Sequence, residues 1–142
     1  MNTGRNKAVK AVIDTNVYIS AVLFGGNSEK IIEAGRDGEI ELLFSPHIIT
    51  EIADILRRKF NWSHLQISEV MNDVRDTAVI VTPAESVKVI KADKSDNRIL
   101  KCAVEGSADY IISGDIKHLQ SLKEFKGIPI LSPAEFVKRF LE

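Results

Sequence analysis

Four acids fall at positions where an α/β chain could do chemistry. Asp14 ends the apolar run "KAVID" at 10–14 and is followed at once by Thr15 and Asn16. Asp115 closes "YIISGD" at 110–115, after a glycine that permits a tight turn. Asp96 opens the helical segment "DNRILKCAV" and shares a face with Ile99, Leu100 and Ala103, its i+3, i+4 and i+7 neighbours. Glu51 lies in "SPHIITEIADIL". The apolar arc of that helix runs from Ile55 through Ile48, Ile52 and Leu56 to Phe60. Glu51 stands roughly 40° outside the Ile55 end, at the rim of the buried stripe. Four carboxylates a few ångströms apart repel one another and destabilise the fold unless a cation sits among them. Oxygen ligands of this kind select Mg²⁺ or Mn²⁺ over zinc, and such centres serve phosphate chemistry.

Each acid taken singly also has a structural role open to it. Asp14, Asp96 and Asp115 can cap the helices that follow them, and Glu51 can be solvated or paired with Arg58. Asp14 fits that role least well, because Thr15 or Asn16 could cap without a full charge. Convergence of all four on one sheet edge is what favours chemistry.

The elements that would position them follow from pattern. Val/Ile-rich runs at 8–13, 78–82 and 109–113, with "IELLF" at 40–44 and "IPIL" at 128–131, read as strands. Helical periodicity covers 27–37, 46–60, 65–77 and 96–106, with short helices at 115–122 and 133–141, and Asp14 would cap a helix at 16–24. Ser45–Pro46 and Ser132–Pro133 mark helix starts, the second with Glu135 as a capping box. Strands alternating with helices, and apolar on both faces, imply an α/β fold around a mostly parallel sheet of about five strands, spanning 1–142 as one domain. The loop "NWSH" at 61–64 is the one hinge candidate. Ligands bind such sheets at the carboxyl ends of the strands, where these acids fall.

At this point the residues resemble a known family. "VIDTNVYISAVLF" is similar to the opening of a PIN domain, which carries Asp-Thr-Asn at the end of its first strand. "DKSDNRILKCAVEGSADYIISGDIKHL" at 93–119 resembles that family's second half, and "SPHIITEIADIL" its acid-bearing helix. The resemblance implies a three-layer α/β/α sandwich and a metal-dependent ribonuclease using Mg²⁺ or Mn²⁺, with the acidic tetrad on Asp14, Glu51, Asp96 and Asp115. Ser113 stands where the family often has Thr and keeps the hydroxyl. Some branches would place the third acid at Asn97, an amide here, so Asp96 takes the role, with Asp93 as an alternative or supporting ligand. Asn16, Thr15 and Ser113 would steady the carboxylates. The family further implies an RNA substrate, an antitoxin partner within a toxin–antitoxin pair, and a homodimer.

On the substrate side, Lys94, Arg98, Lys101 and Lys117 are candidate phosphate binders. "RRKFNW" at 57–62 puts three cations beside two aromatics that could stack on unpaired bases. Against this, basic residues at a helix end complement its dipole, and Phe60 and Trp62 could simply pack. His47, His64 and His118 read as surface residues, and Cys102 as a small core residue. The net charge of −1 supplies no global pull toward nucleic acid or membrane. A lone cysteine excludes an internal disulfide, and no apolar run approaches the roughly 20 residues of a membrane span, so a cytoplasmic protein is expected.

Three other acid-bearing α/β classes fail on particular residues. Asn16 removes the second acid of a dehalogenase-type phosphatase. Strand 78–82 ends in Thr82 and Pro83 rather than the Asp of a receiver domain, and no G-x-G-x-x-G follows a strand. The remaining alternative is a catalytically inactive PIN-like module that binds RNA or protein.

Overall fold

The computed structural model describes residues 8–82, 94–114 and 123–142, with the side chains of 94–96 outside that description. Six strands among the described residues form one sheet: β1 (Val9–Ile13), β2 (Ile40–Phe44), β3 (Ala78–Ile80), β4 (Tyr110–Ile112), β5 (Glu124–Phe125) and β6 (Ile128–Leu131). Their spatial order is β3-β2-β1-β4-β6-β5. Helices cover both sides of the sheet, and every pairing is parallel except β5 with β6. The architecture is the expected α/β one with one more strand than expected. The two residues of β5 are too few to leave a periodic signal. They form a hairpin with β6 through Lys126 (φ 48°) and Gly127 (φ 81°), the paired positive angles of a tight hairpin turn.

The inner strands are apolar because helices cover them. Ala11, Val12, Ile13, Leu42, Ile111 and Ile112 are fully buried. Strand β3 departs from that expectation: Val79 and Ile80 are 43% and 46% exposed among the described residues, because β3 is an edge strand.

Six helices are described. These are α1 (Thr15–Phe24), α2 (Gly26–Arg36), α3 (Pro46–Phe60), α4 (His64–Thr77), α5 (Lys94–Glu105) and α6 (Pro133–Phe140). Their starts are written in short polar side chains. Ser45 accepts from the Ile48 N–H, Ser63 forms a capping box with Gln66, and Ser132 forms one with Glu135. The backbone and side-chain bonds between Glu135 and Ser132 hold the Glu135 carboxyl below the usual carboxylate range. Between α1 and α2 the chain turns at Gly25, whose φ of 73° favours glycine. Gly35 lets α2 approach β2 closely, since a Cβ there would meet Leu42 Cδ1 at 2.6 Å. The loop "NWSH" shortens to 61–63, with Asn61 left-handed (φ 54°) and His64 already helical. The helix expected at 115–122 lies outside the described residues.

The order of the sheet fixes where a ligand could bind. From β1 the chain steps outward to β2 and β3, then returns to place β4 on the other side of β1. The crevice beyond the carboxyl ends of β1 and β4 is therefore the switch point at which sheets of this kind bind ligands.

Candidate functional site

Asp14 occupies that switch point. Its backbone N–H donates to the Ile112 carbonyl at 2.9 Å, extending the β1–β4 pairing by one residue. The residue is only 8% exposed and both carboxylate oxygens are engaged. The fully buried Ser113 hydroxyl donates to Oδ2 at 2.9 Å, and the Asn16 backbone N–H donates to Oδ1 at 3.2 Å. Capping and site-building are thus one arrangement rather than rivals. Asp14 caps α1 through one oxygen while β4 fixes the other. Asn16 contributes its backbone N–H here, and its side chain stays exposed.

Glu51 joins the same neighbourhood through Thr15. The buried Thr15 hydroxyl donates to Glu51 Oε1 at 2.7 Å, tying the first residue of α1 to the rim of α3. Packing between α1 and α3 brings the two helices together. Glu51 is half-buried, as its place on the helical wheel requires. The pairing with Arg58 is not adopted. Arg58 turns to Asp54 at 3.9 Å and Arg57 to the same carboxylate at 2.8 Å, on the outer face of α3.

The other candidates divide by position. Helix α5 packs on β1 and β2 and leads directly into β4, so its first turn sits at the carboxyl edge of the sheet. The described helix begins at Lys94, which puts Asp96 inside it rather than at its opening. Ile99, Leu100 and Ala103, which define the expected face of Asp96, are all buried. Asn97, Arg98 and Lys101 are half-buried on the same helix. Asp93, Asp115, Lys117 and His118 lie outside the described residues. No group of three His, Cys, Asp or Glu residues that could hold a metal occurs among the described residues, which supply Asp14 and Glu51 to the neighbourhood.

The 57–62 segment offers less to RNA than its composition promised. Two of its cations serve Asp54, and Trp62 packs half-buried against the core, while Phe60 is 42% exposed. His47 and His64 are exposed. Cys102 is fully buried, and desolvation pushes its thiol up to about 12.

A polar cluster away from the site was missed. Tyr18 is 2% exposed and donates its hydroxyl to Asp73 Oδ2 at 3.0 Å, while Arg36 meets Asp73 Oδ1 at 3.0 Å and Oδ2 at 3.2 Å. Burial, then the charge of Asp73 and the hydrogen bond to it, raise the Tyr18 phenol well above the usual tyrosine range. The three residues come from α1, α2 and α4, and no local spacing announces their meeting.

A doubly wound sheet with a hydrogen-bonded acid at its switch point defines a class of α/β protein built around that edge. The family model described as the PIN domain matches residues 10–117, and the chain belongs to the PIN domain family. It is 30% identical over 145 residues to an uncharacterised protein of Methanocaldococcus jannaschii, MJ1680, covering 93% of this chain and 92% of that one. Its fold is similar to that of a chain in the crystal structure of VapBC2 from Rickettsia felis bound to a DNA fragment from their promoter. The TM-score is 0.61 at 11% identity, covering 87% of this chain and 98% of that chain.

Proposed function

We propose that this chain is a metal-dependent ribonuclease that hydrolyses RNA phosphodiester bonds at the carboxyl edge of its sheet. The observation that carries the reading is the locked carboxylate of Asp14 at the β1–β4 switch point, with Glu51 tethered beside it through Thr15. An oxygen-only donor set of carboxylates and hydroxyls selects a hard divalent cation, Mg²⁺ or Mn²⁺, rather than zinc. Asp14 and Glu51 would hold it, together with Asp96 and Asp115, or Asp93 in place of Asp96. When bound, the cation supplies Lewis-acid stabilisation of the phosphoryl oxygens.

The chain's own residues do the positioning. Ser113 and the Asn16 N–H fix the Asp14 carboxylate plane, so it presents one geometry and little reorganisation is required. Thr15 holds Glu51 by the oxygen Oε1, leaving it to complete the acidic set or to orient the attacking water. Lys94, Arg98, Lys101 and Lys117 are the proposed phosphate contacts. Cleavage of a panel of RNAs with Mg²⁺ or Mn²⁺, comparing the parent protein with Asp14→Asn, tests the reading. Activity of the parent alone supports it, and equal activity of both refutes it.

An antitoxin partner and a homodimer are proposed with it. Membership of the family and the likeness to a chain of VapBC2 support them. Phe24, 81% exposed at the end of α1, and Leu65, 72% exposed at the start of α4, are the first residues to substitute in a test of either contact.

A further inference from the structure

A cavity of about 290 Å³ adjoins the Asp14 site. Its walls are Asn16, Val17 and Ser20 from the first turns of α1, Ser28 from the first turn of α2, Gly114 after β4, and Pro133 at the start of α6. Two of these residues touch the acid's own supports. Asn16 supplies the N–H that binds Asp14 Oδ1, and Gly114 directly follows Ser113, whose hydroxyl binds Oδ2. Whatever enters the cavity therefore lies beside the Asp14 carboxylate.

The lining selects the chemistry. Among the described residues none of the six lining side chains is charged, and the neighbouring carboxylate disfavours a phosphate. It offers instead the Ser20 and Ser28 hydroxyls and the Asn16 amide, over the apolar surfaces of Val17 and Pro133. Ser28 is buried as a residue (7% exposed), yet its oxygen is not one of the buried polar atoms cut off from a partner, so it stays accessible from the cavity that it lines. Neutral donors and acceptors above an apolar floor match a nucleobase with its ribose. The volume, at the small end of the roughly 300–1,000 Å³ range of small-molecule pockets, admits one such unit and no base pair.

We infer that this cavity takes the base and ribose of one unpaired nucleotide beside the scissile phosphate, with Ser28, Ser20 and Asn16 reading its polar edge. The inference rests on the ribonuclease reading for its substrate, and its test is separable from that reading. Fluorescein-labelled single-stranded oligoribonucleotides are titrated, without divalent cation, against the parent, Asp14→Asn, Ser20→Leu and Ser28→Ala proteins. Ser20 is half-exposed, so Leu there fills the cavity without entering the core. Melting curves of both serine variants certify their folds.

The expected result is binding by the parent and Asp14→Asn, weakened about tenfold or more in Ser20→Leu. In cleavage assays Ser20→Leu raises KM with kcat retained at saturation, and Ser28→Ala alters the preferred nucleotide beside the cut by several-fold. Folded serine variants with parental affinity and parental preference overturn the inference even if cleavage depends on Asp14. Weakened binding by Ser20→Leu in a protein that cleaves nothing upholds the cavity and overturns the nuclease reading. A parent that neither binds nor cleaves overturns both.

Discussion

Asp14, buried, and Asp73, half-buried, are two carboxylates that each accept from a buried hydroxyl, and their other surroundings differ. Asp73 receives the Tyr18 phenol and the fork of Arg36, so its charge is matched on the spot and three helices are tied together. Asp14 receives the Ser113 hydroxyl and the Asn16 N–H while standing at the edge where the strand order reverses. An acid on a helix face with its own guanidinium is a fastening. An acid fixed on both oxygens at a strand end, with a second carboxylate tethered nearby, is the arrangement on which the proposed cation site rests. Helix α3 repeats the contrast within one element. Asp54 gathers Arg57 and Arg58 on the outside, while Glu51 accepts from Thr15 on the inside.

Substitutions at the two carboxylates should separate these roles. The largest effect is expected at Asp14→Asn, which keeps the cap and the shape. RNA cleavage should fall by about 10²–10³-fold, the size of removing one electrostatic group from an active site, with an almost unchanged melting temperature. Next comes Thr15→Val, which releases Glu51. A loss of about 10–100-fold is expected, as for outer partners of metal ligands, and Thr15→Ser should restore most of it. A Thr15→Ser protein as impaired as Thr15→Val would show that the methyl matters rather than the hydrogen bond.

Asp73→Ala should do the reverse and leave turnover unaltered. It should cost about 1–3 kcal/mol by stranding the buried Tyr18 hydroxyl, a drop of a few degrees in Tm for a chain of this size. The Arg36 contact contributes little of that, since its partners are 49% and 34% exposed. Reduced kcat in a stable Asp73→Ala protein would erase the distinction between the two regions.

The smallest effect concerns Cys102, remote from both. Its thiol pKa is raised by burial to about 12, against an ordinary value of about 8.5 in an unfolded chain. The stability this contributes is fully present below the unfolded value and is lost as pH rises toward the folded one. Thiol reagents at neutral pH should therefore label the protein only on unfolding, and Cys102→Ala should flatten the alkaline side of the stability profile.

Much of the fold could be read from the chain because its signals are local. Short apolar runs marked β1, β2, β3, β4 and β6, and Ser-Pro pairs marked the starts of α3 and α6. The position of Asp14 was readable for the same reason, as an acid closing an interior strand. Contacts between distant segments were not. Nothing in the spacing of Thr15 and Glu51 announces a 2.7 Å bond across 36 residues, nor that Tyr18, Arg36 and Asp73 converge. The Ser28 cavity is likewise a product of four segments meeting, and no one of them looks unusual in the chain.

Asp14 and its neighbours are proposed to hold a hard divalent cation. Calorimetric titration of Mn²⁺ into the parent and into Asp14→Asn tests it without reference to any substrate. Saturable binding by the parent, displaced by Mg²⁺ and lost or weakened at least tenfold in Asp14→Asn, is the result the account predicts. Equal Mn²⁺ affinity in the two folded proteins, or none in either, would contradict it.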